Sequence, residues 1–441
     1  MVTARREADA DHRGGREGSV LGHRDFRRLW LSNLSNEAGA RFSLLAVSVT
    51  AVSVLGASPF EVAVLTALAD GAYLLLGIPV GVWVDRWRKK PVLVTADVVR
   101  AAAVLSVPLA HLAGALTIYQ LMAVVAIVSA AGVFFDTAHT AVLPALVGRS
   151  RVSEANARLQ TTDSMMRAVA PGAAGLLLTR VAAPVLFLFT AAVSAASAAL
   201  VASMKVDEPR RGREERDPFW PAVTTGLRFV VGHPALRTLM VSNAANNLGA
   251  GMLIAIFPVF VLRDLGVSPA ELGVANAIGA GGAIVGSLVG LPIKSRLGEV
   301  RTLLVTQHVR PLAFLVLPLA TVTPIAPVVM VALNSFAVAF VLVVGSISST
   351  GMRARVTPHH LMGRVSAASR FVTLGTVPIG ALAAGALGTW IPHTTVLVVA
   401  AATASLAAVA MLLSPLRALR NLPQRWEDEA ERAELNETVN R

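Results

Sequence analysis

The chain has 441 residues, 54% hydrophobic and only 15% charged, with a mean hydropathy of +0.64; a soluble chain carries about 25% charged residues, so an ordinary soluble domain is excluded and a lipid bilayer is the implied partner. No Cys is present, which excludes a disulfide framework and any thiolate metal site. The net charge of +12 gathers in loops between apolar stretches, a topology signal and not the basic stripe of a nucleic-acid binder.

Residues 1–28 are polar and Arg-rich and hold no apolar run ending at a cleavage site. They predict an N-terminal cytoplasmic tail and no cleavable signal peptide. Crossing a bilayer takes roughly 20 mostly apolar residues. Twelve stretches qualify: 29–54, 60–84, 91–111, 117–140, 160–181, 184–204, 235–262, 270–293, 301–321, 325–350, 365–388 and 393–414. The longest internal connection, 205–234, divides them six and six and predicts a short amphipathic helix over 221–231 at the membrane surface. The expected organisation is a first six-helix bundle over 29–204, a cytoplasmic linker over 205–234, a second bundle over 235–414 and a cytoplasmic tail over 415–441. One set of loops, which includes both termini, holds nearly all the loop Arg and Lys, so both termini are predicted in the cytoplasm.

The hairpin Gly81-Val82-Trp83-Val84-Asp85-Arg86-Trp87-Arg88-Lys89-Lys90-Pro91 joins the second and third spans. It resembles the loop 2–3 signature of the major facilitator superfamily (G-x-x-x-D-R-x-G-R-K), with Arg88 where the family has Gly. Three further stretches, Phe26-Arg27-Arg28-Leu29-Trp30, Ala155-Asn156-Ala157 and Leu361-Met362-Gly363-Arg364-Val365, resemble the branch that includes macrolide efflux proteins and the enterobactin exporter. The resemblance implies an all-α membrane protein with twelve transmembrane helices in two six-helix bundles (the major facilitator fold), multi-pass in a bacterial-type cytoplasmic membrane. It also implies proton-coupled export of an amphipathic small molecule such as a drug, antibiotic or siderophore, by a chain that works as a monomer. Lipid flipping, nutrient import or a non-transporting sensor remain open on the same scaffold. A gating role is implied for Gly81, Asp85, Arg86, Lys89, Lys90 and Arg364.

Charged side chains at a helix centre in the bilayer cost about 2.5–3.5 kcal/mol each, so every one is a functional candidate. Glu37 and Arg41 lie i,i+4 in the first span, as a pair that either exchanges protons or is a structural ion pair. Asp70, near Tyr73, is a second proton-coupling candidate, or lies near the outer interface. Asp97 with Arg100 and Asp163 with Arg167 predict structural pairs. Asp136 either lines the inner mouth or pairs with Arg100 or Arg167. Arg310, midway along the ninth span, needs a partner from another helix or a substrate oxygen. Asn243, Asn246 and Asn247 face either a cavity or a neighbouring helix. Pro171, Gly172 and Gly175, with Pro378 and Gly380, predict helix breaks or close packing. No phosphate-binding loop, nucleophile motif or metal-ligand spacing occurs, so no enzyme activity, cofactor or metal is expected.

Overall fold

The structure is a computed structural model and describes residues 20–148, 151–205, 219–426, 428 and 432. Its long helices are α1 (Arg24–Val49), α2 (Pro59–Arg86), α3 (Lys89–Leu112), α4 (Ile118–Val147), α5 (Val152–Leu177) and α6 (Leu186–Ala202), then a shorter α7 (Phe219–Gly232). They continue as α8 (Pro234–Val259), α9 (Pro269–Leu297), α10 (Glu299–Leu315), α11 (Pro327–Val356), α12 (His359–Gly388) and α13 (His393–Leu412). Twelve of these are the spans, and α7 lies in the expected linker. No strand occurs among the described residues.

Four helix ends lie well beyond the sequence boundaries. α4 and α11 run to Val147 and Val356, and α5 and α12 begin at Val152 and His359, so the loops expected over 141–159 and 351–364 are short. A 30-residue helix is about 45 Å long, against a hydrocarbon core of about 30 Å. Hydropathy marks only the part inside the hydrocarbon, and the polar turns beyond it stay helical. α5 falls short of the apolar composition of the other spans, with Glu154, Arg158, Asp163 and Arg167 along it. Its polar residues need protein or water beside them, and α5 packs across the bundle interface on α9.

Helix packing repeats with a shift of one half. α1 packs on α5 and α6, α2 on α4, and α3 on α4 and α6; α8 packs on α12 and α13, α9 on α11, and α10 on α11 and α13. The bundles meet through α2 with α12 and α5 with α9. The connections also repeat. α1 and α8 each end in a π-helical turn, Thr50–Val54 and Phe260–Asp264. Gly56 (φ 63°) and Gly266 (φ 65°) then supply the left-handed backbone that reverses the chain. Ser58 and Ser268 start α2 and α9 with a capping box closed by Glu61 and Glu271.

One apolar core runs through both bundles at the end away from the termini, with Val49, Ala63 and Leu186 beside Ile256, Phe260 and Ala384. At the end that carries the termini the core is split. Phe26, Val84, Leu143 and Met204 belong to the first bundle alone, and Leu236, Leu303, Val356 and Trp426 to the second. Among the described residues the core shared by both bundles therefore lies at the distal end, and each bundle has its own core at the terminal end.

The expected C-terminal tail is docked over its described length. Leu416, Leu422 and Trp426 are buried in the second bundle's terminal core. The Glu299 amide donates to Asn421 Oδ1 at 3.2 Å and the Val300 amide to the Arg420 carbonyl at 3.1 Å, so this segment caps the start of α10. Hydropathy missed it because it alternates apolar anchors with Arg and Asn. α7 docks on α12, where a side chain at Gly226 would strike the Arg364 carbonyl. The predicted breaks at Pro171 and Pro378 do not occur: both prolines sit inside continuous helices. Packed neighbours compensate a lost backbone bond inside a bundle, and the nearby glycines give close helix approach.

Candidate functional site

The interior of the first bundle holds two linked polar groups. In the first, Asp97 on α3 is fully buried; it accepts from Ser197 Oγ of α6 at 2.5 Å and lies 3.4 Å from Arg100 Nη1. Arg100 Nη1 also donates to Asn36 Oδ1 of α1 at 2.8 Å, and Asn36 Nδ2 donates to Ser197 Oγ at 3.0 Å. The Arg100 guanidinium lies 5.4 Å over the Phe135 ring of α4. A methyl group at Gly132 would touch both Arg100 Nη2 and the Tyr73 hydroxyl, at 3.5 and 3.4 Å, so these two groups flank one spot. Tyr73 donates to Asp136 Oδ2 at 2.5 Å.

The second group joins α1 to α5. Arg41 Nη2 lies 3.2 Å from Glu37 and 3.6 Å from Asp163, and Arg167 pairs with Asp163. Asp70 is half-buried on α2 and makes no hydrogen bond or ion pair among the described residues. These groups, with Asp70, thus hold five carboxyls, Glu37, Asp70, Asp97, Asp136 and Asp163, against three guanidiniums, Arg41, Arg100 and Arg167; Asp136 and Arg167 are exposed and the others are buried or half-buried. With every group ionised, two negative charges lack an internal cation.

The second bundle is built differently at the same places. Asn246 on α8 donates from Nδ2 to Gln307 Oε1 on α10, and its own Oδ1 is buried without a partner. Arg310 is half-buried one turn beyond Gln307, and no hydrogen bond or ion pair reaches it among the described residues. Asn243 lines a small enclosed cavity with Ser349, Arg353 and Ser369. Asn247 is half-buried on α8.

At the α2–α3 turn, Lys89 Nζ caps the end of α2 by donating to the Val84 and Trp87 carbonyls at 2.7 and 2.8 Å. Lys90 Nζ donates to the Met204 carbonyl at 2.7 Å, within its own bundle. Arg86 is exposed, and Gly81 has open space where a side chain would stand. Arg364 is half-buried on α12. The Asp85 side chain lies outside those described. Arg88 fits the turn because Trp87 and Arg88 take extended backbone, with φ of −93° and −68°. Gly298, at the matching place between α9 and α10, has φ 87° and needs to be glycine.

The glycine candidates are packing contacts. A side chain at Gly175 would sit 2.7 Å from Gly273 Cα, across the bundle interface. Gly172 faces Ala277 there, and Gly380 lies against the Leu248 carbonyl of α8. At the distal end Arg263 Nη2 donates to the Ala57 carbonyl at 2.9 Å and lies 3.4 Å from the Val52 carbonyl, which ties the second bundle to the first.

An internal repeat runs through all of this. A register shift of 210 residues pairs Gly22-His23 with Gly232-His233, Ser32-Asn33 with Ser242-Asn243, Asn36 with Asn246, Gly39-Ala40 with Gly249-Ala250, Ser58-Pro59 with Ser268-Pro269, Arg100 with Arg310 and Pro108-Leu109-Ala110 with Pro318-Leu319-Ala320, without a gap. In the same register Glu37 meets Asn247, Asp70 meets Ala280, Asp97 meets Gln307 and Asp136 meets Ser346. The duplicated frame is retained, and at these four places the second half holds a neutral residue.

A family model described as the Major Facilitator Superfamily matches residues 29–373. The chain is 27% identical over 356 residues to the multidrug efflux pump Tap of Mycobacterium tuberculosis (strain ATCC 25618 / H37Rv), covering 78% of this chain and 83% of Tap. It is 28% identical over 195 residues to the MFS-type transporter YvqJ of Bacillus subtilis (strain 168), a match that spans 43% of this chain and 46% of that relative, less than half its length. The solved nucleoside transporter NupG aligns with a TM-score of 0.70 at 13% identity, over 88% of this chain and 98% of NupG. A bacterial homologue of the human lysosomal transporter Spinster, inward-facing and unoccupied, aligns with a TM-score of 0.65 at 16% identity, over 91% of this chain and 100% of its own. These structural likenesses are of fold. With the family model spanning most of the chain over two matching six-helix bundles, the chain belongs to the Major Facilitator Superfamily, a family of membrane transporters and not of enzymes.

Proposed function

We propose that the protein is a proton-coupled exporter of amphipathic small molecules, acting by alternating access as a single chain in a bacterial cytoplasmic membrane. The Arg-rich terminal face would lie in the cytoplasm. The observation that carries the coupling is the charge asymmetry between duplicated halves. In the first bundle these groups hold five carboxyls for three guanidiniums, and four of those carboxyls correspond to neutral residues in the register of the second. Two uncompensated negative charges inside a bilayer call for a partner, and protons are the partner a membrane gradient supplies. The similarity to Tap supports export as the direction.

The mechanism follows from where the bundles touch. The distal ends share a core, which favours entry of substrate from the cytoplasm. Rocking about the α2–α12 and α5–α9 contacts would part the distal ends and close the terminal ones. Protons taken from outside by Glu37, Asp70 or Asp136 would change the charge of the first bundle while substrate leaves. Their release inside would reset it. Coupling requires that proton and substrate each favour a different state. Asp85, Arg86, Lys89, Lys90 and Arg364 at the terminal ends are the proposed gate.

The test is accumulation of macrolides, dyes and siderophores in an exporter-deficient bacterium, with and without a protonophore. Lower accumulation that returns to control on adding protonophore is the expected result. At equal protein levels, Glu37→Gln and Asp136→Asn should lower efflux by about tenfold or more, the scale of a lost charge-assisted hydrogen bond. Efflux that survives the protonophore would remove proton coupling. Accumulation raised above control would indicate import, and no change for any compound would favour lipid flipping or sensing.

A further inference from the structure

The register between the halves shows one charged motif kept in parts. In the first bundle Arg100 is satisfied internally: Asp97 is 3.4 Å away, Asn36 Oδ1 accepts at 2.8 Å, and Ser197 holds Asp97 at 2.5 Å. In the second bundle the frame residues Asn246 and Arg310 are retained, but Gln307 stands for Asp97 and Ala407 for Ser197. Ser242 and Ala407 confirm the register in space, since Ser242 Oγ donates to the Ala407 carbonyl at 3.2 Å where Ser32 and Ser197 hydroxyls meet at 2.6 Å. Gln307 is neutral and one methylene longer than Asp97, so Arg310 lacks the carboxylate that its counterpart keeps.

Two independent features leave this place open. No ion pair or hydrogen bond to Arg310 occurs among the described residues, and Asn246 Oδ1 is buried without a partner although Asn36 Oδ1 is filled by Arg100. The space differs as well. Arg100 lies over the Phe135 ring and beside the Tyr73 hydroxyl, whereas the matching residues of the second half are Gly345 and Ala283. The two ring side chains are thus absent from the matching positions, and Gly345 lies against the Thr306 side chain of α10. An isolated cation in the bilayer interior is costly unless it is paired, and a guanidinium presents a fork that matches carboxylate or phosphate oxygens.

We infer that Arg310 forms an acid-recognising subsite in the second bundle, whose ligand is an amphipathic molecule bearing a carboxylate or phosphate group. That this ligand is the transported molecule rests on the export function proposed above; the subsite itself does not. Proton exchange and acid recognition would then be divided between the duplicated halves, with carboxyls in the first and a freed guanidinium in the second.

The test uses the full chain in phosphatidylcholine nanodiscs and the fluorescent amphipathic acid 11-(dansylamino)undecanoic acid, with its methyl ester as the uncharged match. Wild type should bind the acid more tightly than the ester by about tenfold or more, the scale of a guanidinium–carboxylate contact. R310Q should remove that preference by bringing acid binding down to the level of the ester. Q307E should also remove it, because the new carboxylate recreates the Asp97–Arg100 pair and occupies Arg310. Q307E restores a pairing that already folds in the first bundle, so it decides the matter if R310Q fails to fold. Adding phosphatidylglycerol to the discs separates the two sources of the acid. Displacement of the probe assigns the subsite to a membrane phospholipid, and its retention assigns the subsite to a transported solute. Equal binding of acid and ester by wild type, no binding of the acid, or a preference unchanged in folded R310Q or Q307E would overturn the subsite. None of these readouts depends on a proton gradient, so failure of the coupling mechanism would leave the result intact.

Discussion

Asp97 has no exposed surface, and its neighbours are an Arg100 nitrogen at 3.4 Å and the Ser197 hydroxyl at 2.5 Å. Removing one partner of a buried ion pair strands the other charge, which costs about 3–5 kcal/mol. Asp97→Asn is therefore expected to lower thermal stability markedly in detergent, while Gln307→Ala at the duplicated position should cost only about 1 kcal/mol, since a neutral pair is lost. Melting both variants side by side checks this; equal losses would mean that the two positions are energetically alike. The i,i+4 spacing made the Glu37–Arg41 and Asp163–Arg167 pairs legible from the chain. It could not show that Arg41 lies between Glu37 and Asp163, because that contact joins helices more than a hundred residues apart.

At the scale of helices, the distal closure depends on glycine. Gly175 and Gly273 let α5 and α9 touch backbone to backbone, and Gly385 of α12 leaves room for Ala63 and Phe60 of α2. A leucine cannot be placed at Gly175 without moving a backbone, since its Cβ would sit 2.7 Å from Gly273 Cα. Gly175→Leu is expected to push the distal ends apart and lower transport at normal membrane insertion. Normal transport with normal insertion would show that the contact is not needed for the cycle. The glycine pattern was visible in the sequence, but whether it marked a break or a contact was not. Only the neighbouring helix decides that, and it arrives from the other half.

For the whole molecule, Arg263 is the polar tie between the bundles at the distal end, donating to the Ala57 carbonyl at 2.9 Å. Its first-half counterpart is Ser53, so the tie is made once and not twice. Arg263→Ala should shift the population toward the state open at the distal end. The chain has no Cys, so a cysteine introduced at the fully buried Ala384 is its only thiol. Its labelling by a membrane-impermeant maleimide should quicken several-fold in the Arg263→Ala background. An unchanged rate would mean that apolar packing alone holds the distal end shut.

Composition and hydropathy determined that this chain spans a membrane twelve times in two halves, because burying apolar residues in lipid is a local property that each stretch carries by itself. The Arg-rich hairpin carried the family, since its spacing survives without tertiary context. Tertiary structure decided the rest. It extended α4, α5, α11 and α12 past the bilayer, docked 415–426 onto the second bundle, kept Pro171 and Pro378 inside helices and joined Tyr73 to Asp136. It also showed that Arg100 is paired while its duplicate Arg310 is not. Those outcomes turn on which side chains meet across helices distant in sequence, and the packing of two bundles sets that, not the local pattern of any one span.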